Sequence, residues 1–290
     1  MSALSTEPVR TGPLMRLEER LALLDRVVVA FSGGADSSLV AYVATKTLGS
    51  DRVLCVTAVS PSLATSEKDD CENLAKTWGL RHRFATTNEL SDTNYQANDL
   101  NRCYHCKAEL MDVLAPLARA ENATIALGVN VDDLSDHRPG QQAARERGAV
   151  FPLLDANFTK SMVRDVSRSL GLRTWDKPAA ACLASRIPHG TPVTLRALSQ
   201  VERAEHALRD LGFVQLRVRH YGDCARIELE EHELVRAISQ REQIVRAIRS
   251  AGYRYCTLDL EGFRSGNLSR AALEVKETDR APGPAYGDDI

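Results

Sequence analysis

No apolar run in this 290-residue sequence approaches the roughly 18 residues of a membrane span. No charge of one sign predominates either. Lys and Arg total 37 against 39 Asp and Glu, a formal net charge of −2. That excludes a whole-chain electrostatic nucleic-acid binder and leaves room only for a local basic patch. The first residues, Met1 to Leu14, have no apolar core like that of a secretory signal. There is no internal repeat. The cysteines, Cys55, Cys71, Cys103, Cys106, Cys182, Cys224 and Cys256, are odd in number, which argues against a disulfide framework. Together these absences read as a cytoplasmic chain with neither nucleic acid nor membrane as partner.

What is present is an ordinary globular composition, 43 % apolar and 26 % charged, with length for about two domains. The first half alternates strands and helices. Val27 to Phe31 and Ala123 to Gly128 read as buried strands, and Arg52 to Thr57 and Arg81 to Ala85 as the strands between them. The stretches after Ser38, from Glu67 to Trp78 and from Asn101 to Asn122 read as helices. This alternation predicts an α/β fold with a doubly wound parallel sheet over residues 1–170. The pattern then changes. Trp175 to Thr194 reads as a long functional loop. Helix Thr194 to Leu211, strands Phe213 to Arg219 and Ala225 to Leu229, helix Glu231 to Ala251 and strand Arg254 to Leu260 predict a smaller α+β domain over 171–275. Residues 276–290 read as a disordered tail.

The strongest local signal is Ser32-Gly33-Gly34-Ala35-Asp36-Ser37-Ser38, placed between a buried strand and a helix start. Two glycines let the backbone approach an anion, and the helix N-terminus offers N–H groups and a positive dipole end. Three serines add hydroxyls. The loop lacks the Gly-Lys-Ser/Thr ending of a Walker A motif, so transfer of a γ-phosphate is not its chemistry. It resembles the PP-loop of the ATP pyrophosphatases, which cleave ATP between its α- and β-phosphates and attach AMP to a substrate oxygen. The resemblance implies that Asp36 helps to hold Mg²⁺.

Cys103-Tyr104-His105-Cys106 is the only CxxC and falls at a helix start, where thiolate is favoured. Two cysteines do not complete a four-ligand zinc site. Cys182, in a segment of small residues, is a candidate third ligand, and three thiolates suit a [4Fe–4S] cluster with one iron open. A redox CxxC, or three unrelated structural cysteines, fits the spacing as well.

Further motifs narrow the choice. They are Asn101-Arg102-Cys103-Tyr104-His105-Cys106-Lys107, Gly128-Val129-Asn130-Val131-Asp132-Asp133 and His137-Arg138-Pro139-Gly140. Later come Cys182-Leu183-Ala184-Ser185-Arg186-Ile187-Pro188-His189-Gly190-Thr191 and Leu258-Asp259-Leu260-Glu261-Gly262-Phe263-Arg264-Ser265-Gly266. With the loop Ala30 to Ser37 they span nearly the whole chain, which resembles the LarE family, ATP-dependent sulfur transferases of nickel-pincer cofactor synthesis. The resemblance implies a mononucleotide substrate, that of pyridinium-3,5-dicarboxylic acid, whose carboxylates are adenylated and converted to thiocarboxylates. It also implies self-association.

The family obtains sulfur in two ways, from a sacrificed cysteine or from a sulfide carried on a three-cysteine [4Fe–4S] cluster. In the sacrificial type the donor falls one position earlier, on Ala181 here, and an aromatic residue stands at Cys103. Having Cys103, Cys106 and Cys182 together matches the cluster type. Sacrifice of Cys182 is the alternative mechanism, and a tRNA thiolase the alternative enzyme. The nucleotide-binding residues are expected to be Ala30, Phe31, Ser32, Gly33, Gly34, Asp36, Ser37 and Ser38. Gly128 is expected to let the backbone approach the adenine or ribose.

Arg217 and Arg219 alternate with apolar residues on one strand, and Arg226 and Glu228 follow on the next. From pattern alone this is either a phosphate clamp or a solvated basic face. The resemblance favours the clamp, adds Arg186, and gives Ser185 the task of positioning the carboxylate. Glu228 is either an orienting group for the arginines or a plain ion pair. Asp132, Asp133 and Asp136 are either Mg²⁺ or substrate groups, or caps.

Overall fold

Runs of β-branched residues that alternate between two apolar faces make strands buried on both sides. The computed structural model, which describes residues 12–134, 139–178 and 181–264, shows four strands, three of them largely buried and one, at a sheet edge, half-exposed. They are β1 (Val27–Ala30), β2 (Val53–Val59), β3 (His82–Thr86) and β4 (Thr124–Ala126), in the order β3-β2-β1-β4 and all parallel. Asp136, His137, Arg138, Ser265, Gly266 and the expected tail from Lys276 lie outside the described residues. The connecting helices are α1 (Gly12–Ala22), α2 (Ala35–Leu48), α3 (Thr65–Trp78), α4 (Thr93–Gln96), α5 (Arg102–Glu121), α6 (Pro139–Glu146), α7 (Pro152–Asp155) and α8 (Lys160–Ser169).

The two-residue period of a strand sends neighbouring side chains to opposite faces. Val27, Val29, Val53 and Cys55 pack with Leu17 of α1, Leu39 of α2, Leu74 of α3 and Val163 of α8. Val28, Leu54 and Val56 pack with Met111 and Leu114 of α5 and Ala144 of α6. The α/β class and the parallel sheet are as the alternation predicts.

The chain forms two packed units. The first takes residues up to Tyr95 and then Asn101 to Ala181. The second takes Gln96–Leu100 and the described residues from Cys182 to Arg264. Residues 171–178, which fall beyond the expected boundary at 170, are tied to the first unit. Arg168 stacks on Trp175 at 3.8 Å, and Arg173 and Lys177 both bond Asp70 of α3.

In the second unit α9 (Leu195–Asp210), β5 (Leu216–Tyr221), β6 (Cys224–Leu229), α10 (Leu234–Ser239), α11 (Arg241–Ser250) and β7 (Tyr255–Leu258) follow in order. β5 pairs antiparallel with β6, and β6 pairs parallel with β7. The inward residues Leu216, Val218, Ala225, Ile227 and Leu229 form a core with Ala204, Leu208, Ile244 and Ile248.

The expected single helix Glu231 to Ala251 is a 3₁₀ turn, α10 and α11. Ser239 Oγ bonds the Arg236 carbonyl at 2.7 Å, and Gln240 (φ −99°, ψ 16°) both ends α10 and starts α11. Such side-chain competition for backbone groups breaks a helix whose apolar spacing continues across the break.

The strap Gln96–Leu100 holds the loop that follows Cys182. Asn98, fully buried at φ +55°, donates through Nδ2 to the carbonyls of Ile187 (3.3 Å), Pro188 (2.8 Å) and Thr191 (2.8 Å). Its own carbonyl accepts from Gly190 N–H at 3.1 Å.

Candidate active site

The glycine loop has the form its sequence predicts. Gly33 lies at φ +68°, a region that disfavours any side chain, and an added Cβ there would stand 2.9 Å from Cys71 Sγ. Gly34 precedes α2, and no side chain caps the helix, so its N-terminal end keeps its anion-binding character. Ser37 Oγ accepts from Ser32 N–H at 3.2 Å, lies 3.0 Å from Ser32 Oγ and donates to the Gly34 carbonyl at 3.2 Å. The Ser38 hydroxyl is buried without a hydrogen-bond partner among the described residues. Ala30 ends β1. Phe31 turns into the core, with its N–H on Val56 and its carbonyl on Thr57 Oγ1, so this residue braces the loop from below.

Asp36 faces two groups far along the chain. Asn130 Nδ2 donates to its Oδ1 at 2.8 Å, and Lys160 Nζ bonds its Oδ2. Asp132 accepts from Lys160 N–H at 2.7 Å and Asp133 from Asn130 N–H at 3.1 Å, so both act as caps that set these two partners.

Gly128 belongs to the same assembly. A Cβ there would stand 2.6 Å from Ser37 N and 2.8 Å from the Asp36 carbonyl carbon. The close approach it permits is to the protein's own backbone at the start of α2. Gly128→Ala is therefore expected to cost about 1–3 kcal/mol of stability and to weaken ATP binding at least about tenfold. Thermal unfolding and calorimetric titration with ATP measure the two effects.

Cys103 and Cys106 lie in the first turn of α5 in the first unit, Cys103 exposed and Cys106 half-buried. Cys182 is exposed in the second unit, at the cap of the 3₁₀ turn Leu183–Arg186. All seven cysteines stand as thiols. Burial pushes the Cys55 thiol up to about 12 and Cys71 up to about 11, as expected of thiols that pack rather than react. Among the described residues no group of three or more His, Cys, Asp or Glu is gathered to hold a metal ion.

The second unit collects the residues assigned to the clamp. Glu228, fully buried, accepts from Arg219 Nε at 2.8 Å and Nη2 at 2.7 Å, and from Arg226 Nη2 at 3.1 Å. It is ion-paired with both arginines. Arg219 Nη1 also reaches the Ser185 carbonyl at 2.9 Å. Arg186 donates from Nη1 to Ser185 Oγ at 3.0 Å and chelates Glu205 through Nε (2.7 Å) and Nη2 (3.1 Å).

Arg217 differs from its neighbours. Its guanidinium lies 4.5 Å over the Phe263 ring and donates to the Arg264 carbonyl at 3.2 Å, with no carboxylate in ion-pair contact among the described residues. Burial, and then the charges of Arg219 and Arg186, push its pKa down to about 10. It stays cationic at neutral pH, oriented and not neutralised, which is what recognition of an oxyanion requires.

Comparison with known proteins agrees with this geometry. The NAD synthase family model matches residues 16–109, the glycine loop included. The NH(3)-dependent NAD(+) synthetase of Pyrococcus furiosus is 34 % identical over 74 residues, 26 % of this chain and 28 % of that protein. An uncharacterised protein of Synechocystis is 46 % identical over 260 residues, 89 % of this chain and 97 % of its own length. The pyridinium-3,5-bisthiocarboxylic acid mononucleotide synthase of Lactiplantibacillus plantarum is 40 % identical over 248 residues, 85 % of this chain and 90 % of that protein. The chain belongs to this synthase family. It is accordingly a PP-loop enzyme, an ATP-dependent sulfurtransferase. No helix among the described residues is long and apolar enough to cross a membrane.

Within this member of the synthase family, some site residues lie outside every motif read from the sequence. Lys160 reaches Asp36 from a position that no local pattern marks, and Lys177, within the expected loop Trp175 to Thr194, borders the glycine loop. Glu205 did carry a signal. It sits on the buried stripe of α9 with Leu198, Val201 and Leu208, a carboxylate where the spacing demands an apolar side chain. It is 1 % exposed and also accepts from Arg209 and from Val218 N–H, both at 3.1 Å.

Proposed function

We propose that this chain activates the carboxylates of pyridinium-3,5-dicarboxylic acid mononucleotide with ATP and replaces the activated oxygen by sulfur, giving thiocarboxylates for the nickel-pincer cofactor. A carboxylate oxygen attacks the α-phosphorus of ATP, the bond to the β-phosphate oxygen breaks, and pyrophosphate leaves. Sulfide then attacks the acyl carbon and AMP departs with the former carboxylate oxygen. A free carboxylate has no good leaving group, and adenylation supplies one.

The single observation that carries this reading is the placement of Cys182. An exposed thiol caps the turn whose Ser185 and Arg186 join the arginine cluster. Sulfur and an oxyanion-binding group thus stand in one unit, with Arg217 the cation left to hold the substrate phosphate. The glycine loop and the end of α2 cradle the phosphates of ATP. Asp36 fits a Mg²⁺ site, since that ion commonly takes one or two carboxylates together with substrate phosphates.

Cys103, Cys106 and Cys182 fit the donor set of a [4Fe–4S] cluster with one open iron, all three being thiols and two of them exposed. Such a group supplies a labile sulfide. The rival reading is Cys182 as a single-use donor, an exposed thiol at the cap of the turn that carries Ser185 and Arg186.

The test is incubation of the purified chain with ATP, Mg²⁺, the dicarboxylic mononucleotide and a sulfide source. Pyrophosphate release that needs the mononucleotide, with a product heavier by one oxygen-to-sulfur exchange per carboxylate, is expected. Release of pyrophosphate driven by tRNA instead would turn the assignment to a tRNA thiolase.

A further inference from the structure

Lys177 is the residue of the first unit that the reaction above leaves without a task. Its side chain is 17 % exposed, and its ammonium bonds Glu67 Oε2 at 2.8 Å and Asp70 Oδ2 at 2.7 Å, both on α3. Those bonds use two of the three N–H donors of an ammonium. The third has no acceptor among the described residues. The ammonium lies 3.7 Å from where a Cβ on Gly33 would stand, so it borders the phosphate loop.

Charge does not oppose an anion here. Arg173 also bonds Asp70, so two cations face Glu67 and Asp70, and the surroundings of the loop on this side are balanced and not repulsive. Burial pulls the Lys177 pKa down, but the hydrogen bonds it donates to Asp70 and Glu67 outweigh it, and the group is held above its ordinary value. Lys177 is therefore charged throughout the neutral range, oriented, and short of one acceptor.

We propose that Lys177 is a ligand for the polyphosphate of ATP, held beside the glycine loop by Glu67 and Asp70, which compete with phosphate oxygens for its donors. The proposal rests on the adenylating reading of the loop and adds a residue to it.

Calorimetric titration of the full chain with ATP and with inorganic pyrophosphate tests it. Lys177→Ala is expected to weaken both by about 10- to 100-fold, the range for one charge-assisted hydrogen bond, and Lys177→Arg to recover part of the loss. Glu67→Gln removes a competitor and is expected to tighten pyrophosphate binding about threefold or more. Arg173→Ala serves as the comparison, since it disturbs the same Asp70 without bordering Gly33.

A merely structural tie predicts a different pattern. Equal losses for Lys177→Ala and Arg173→Ala, or weaker pyrophosphate binding in Glu67→Gln, would overturn the proposal. So would unchanged binding in Lys177→Ala while the wild type binds normally. Wild-type protein that binds neither ATP nor pyrophosphate would overturn the adenylation reading, and this proposal with it.

Discussion

Cys182→Ala is expected to lower thiocarboxylate formation by about 10³-fold or more, as removal of an essential nucleophile does, while pyrophosphate release stays within about threefold of wild type. The split follows from the division of the chain. The nucleotide loop and its supports, Asn130, Lys160 and Gly128, all belong to the first unit, whereas Cys182 opens the long segment of the second. Its side chain is exposed and caps a turn without donating to it, so the fold is expected to tolerate alanine. Anaerobic reconstitution with iron and sulfide then separates the two sulfur sources. About four irons per chain, lost in each of Cys103→Ala, Cys106→Ala and Cys182→Ala, establishes the three-cysteine cluster. A protein that binds no iron and emerges from turnover lighter by one H₂S, with dehydroalanine at position 182, establishes sacrifice.

The largest stability effect is expected at Glu228. The Arg219–Glu228 pair is among the most deeply buried ion pairs of the described residues, with side-chain exposures of 3 % and 0 %. Glu228→Ala leaves the Arg219 guanidinium buried without its carboxylate and takes one partner from Arg226, which keeps Asp259 at 3.4 Å. Breaking a buried pair from one side typically costs about 3–5 kcal/mol. The comparison is Glu261→Ala, which removes the same charge from an exposed pair with Arg264 at 3.5 Å. Such a pair contributes about 1 kcal/mol or less. Chemical denaturation of both variants measures the difference. Equal, small losses would show that water reaches Glu228 and that the cluster is not held as the geometry indicates.

The parallel sheet was legible because its strands are written locally, as apolar runs, the first and last of them followed by Gly33 and Gly128, with Gly79 closing the helix between β2 and β3. The glycine loop was legible for the same reason. What escaped reading depends on residues brought together from afar. Asp36 announces itself beside Gly34, but Lys160, 124 positions away, has nothing around it to mark it as a partner. Gly128 was noticed, yet the atoms that require it to be glycine are those of Asp36 and Ser37. The arginines of β5 and β6 showed their shared face by alternation. Which of them is neutralised was invisible, because it turns on the single register that sets Glu228 opposite Arg217, and the partner of Arg186, Glu205 of α9, is equally remote from the motif that carries Arg186. The helix from Glu231 failed on a local detail, the Ser239 hydroxyl.

The strap Gln96–Leu100 bears on how the protein can be taken apart. The chain leaves the first unit after Tyr95, gives five residues to the second, and returns at Asn101 before leaving again at Cys182. No single peptide-bond cut yields two fragments that each hold one complete unit. A fragment starting at Cys182 lacks the Asn98 amide that gathers the carbonyls of Ile187, Pro188 and Thr191. During synthesis, the ribosome must release residues through Ala181 before the first unit is whole, with its strap already committed to a partner not yet made. The two units are thus inherited, expressed and degraded as one.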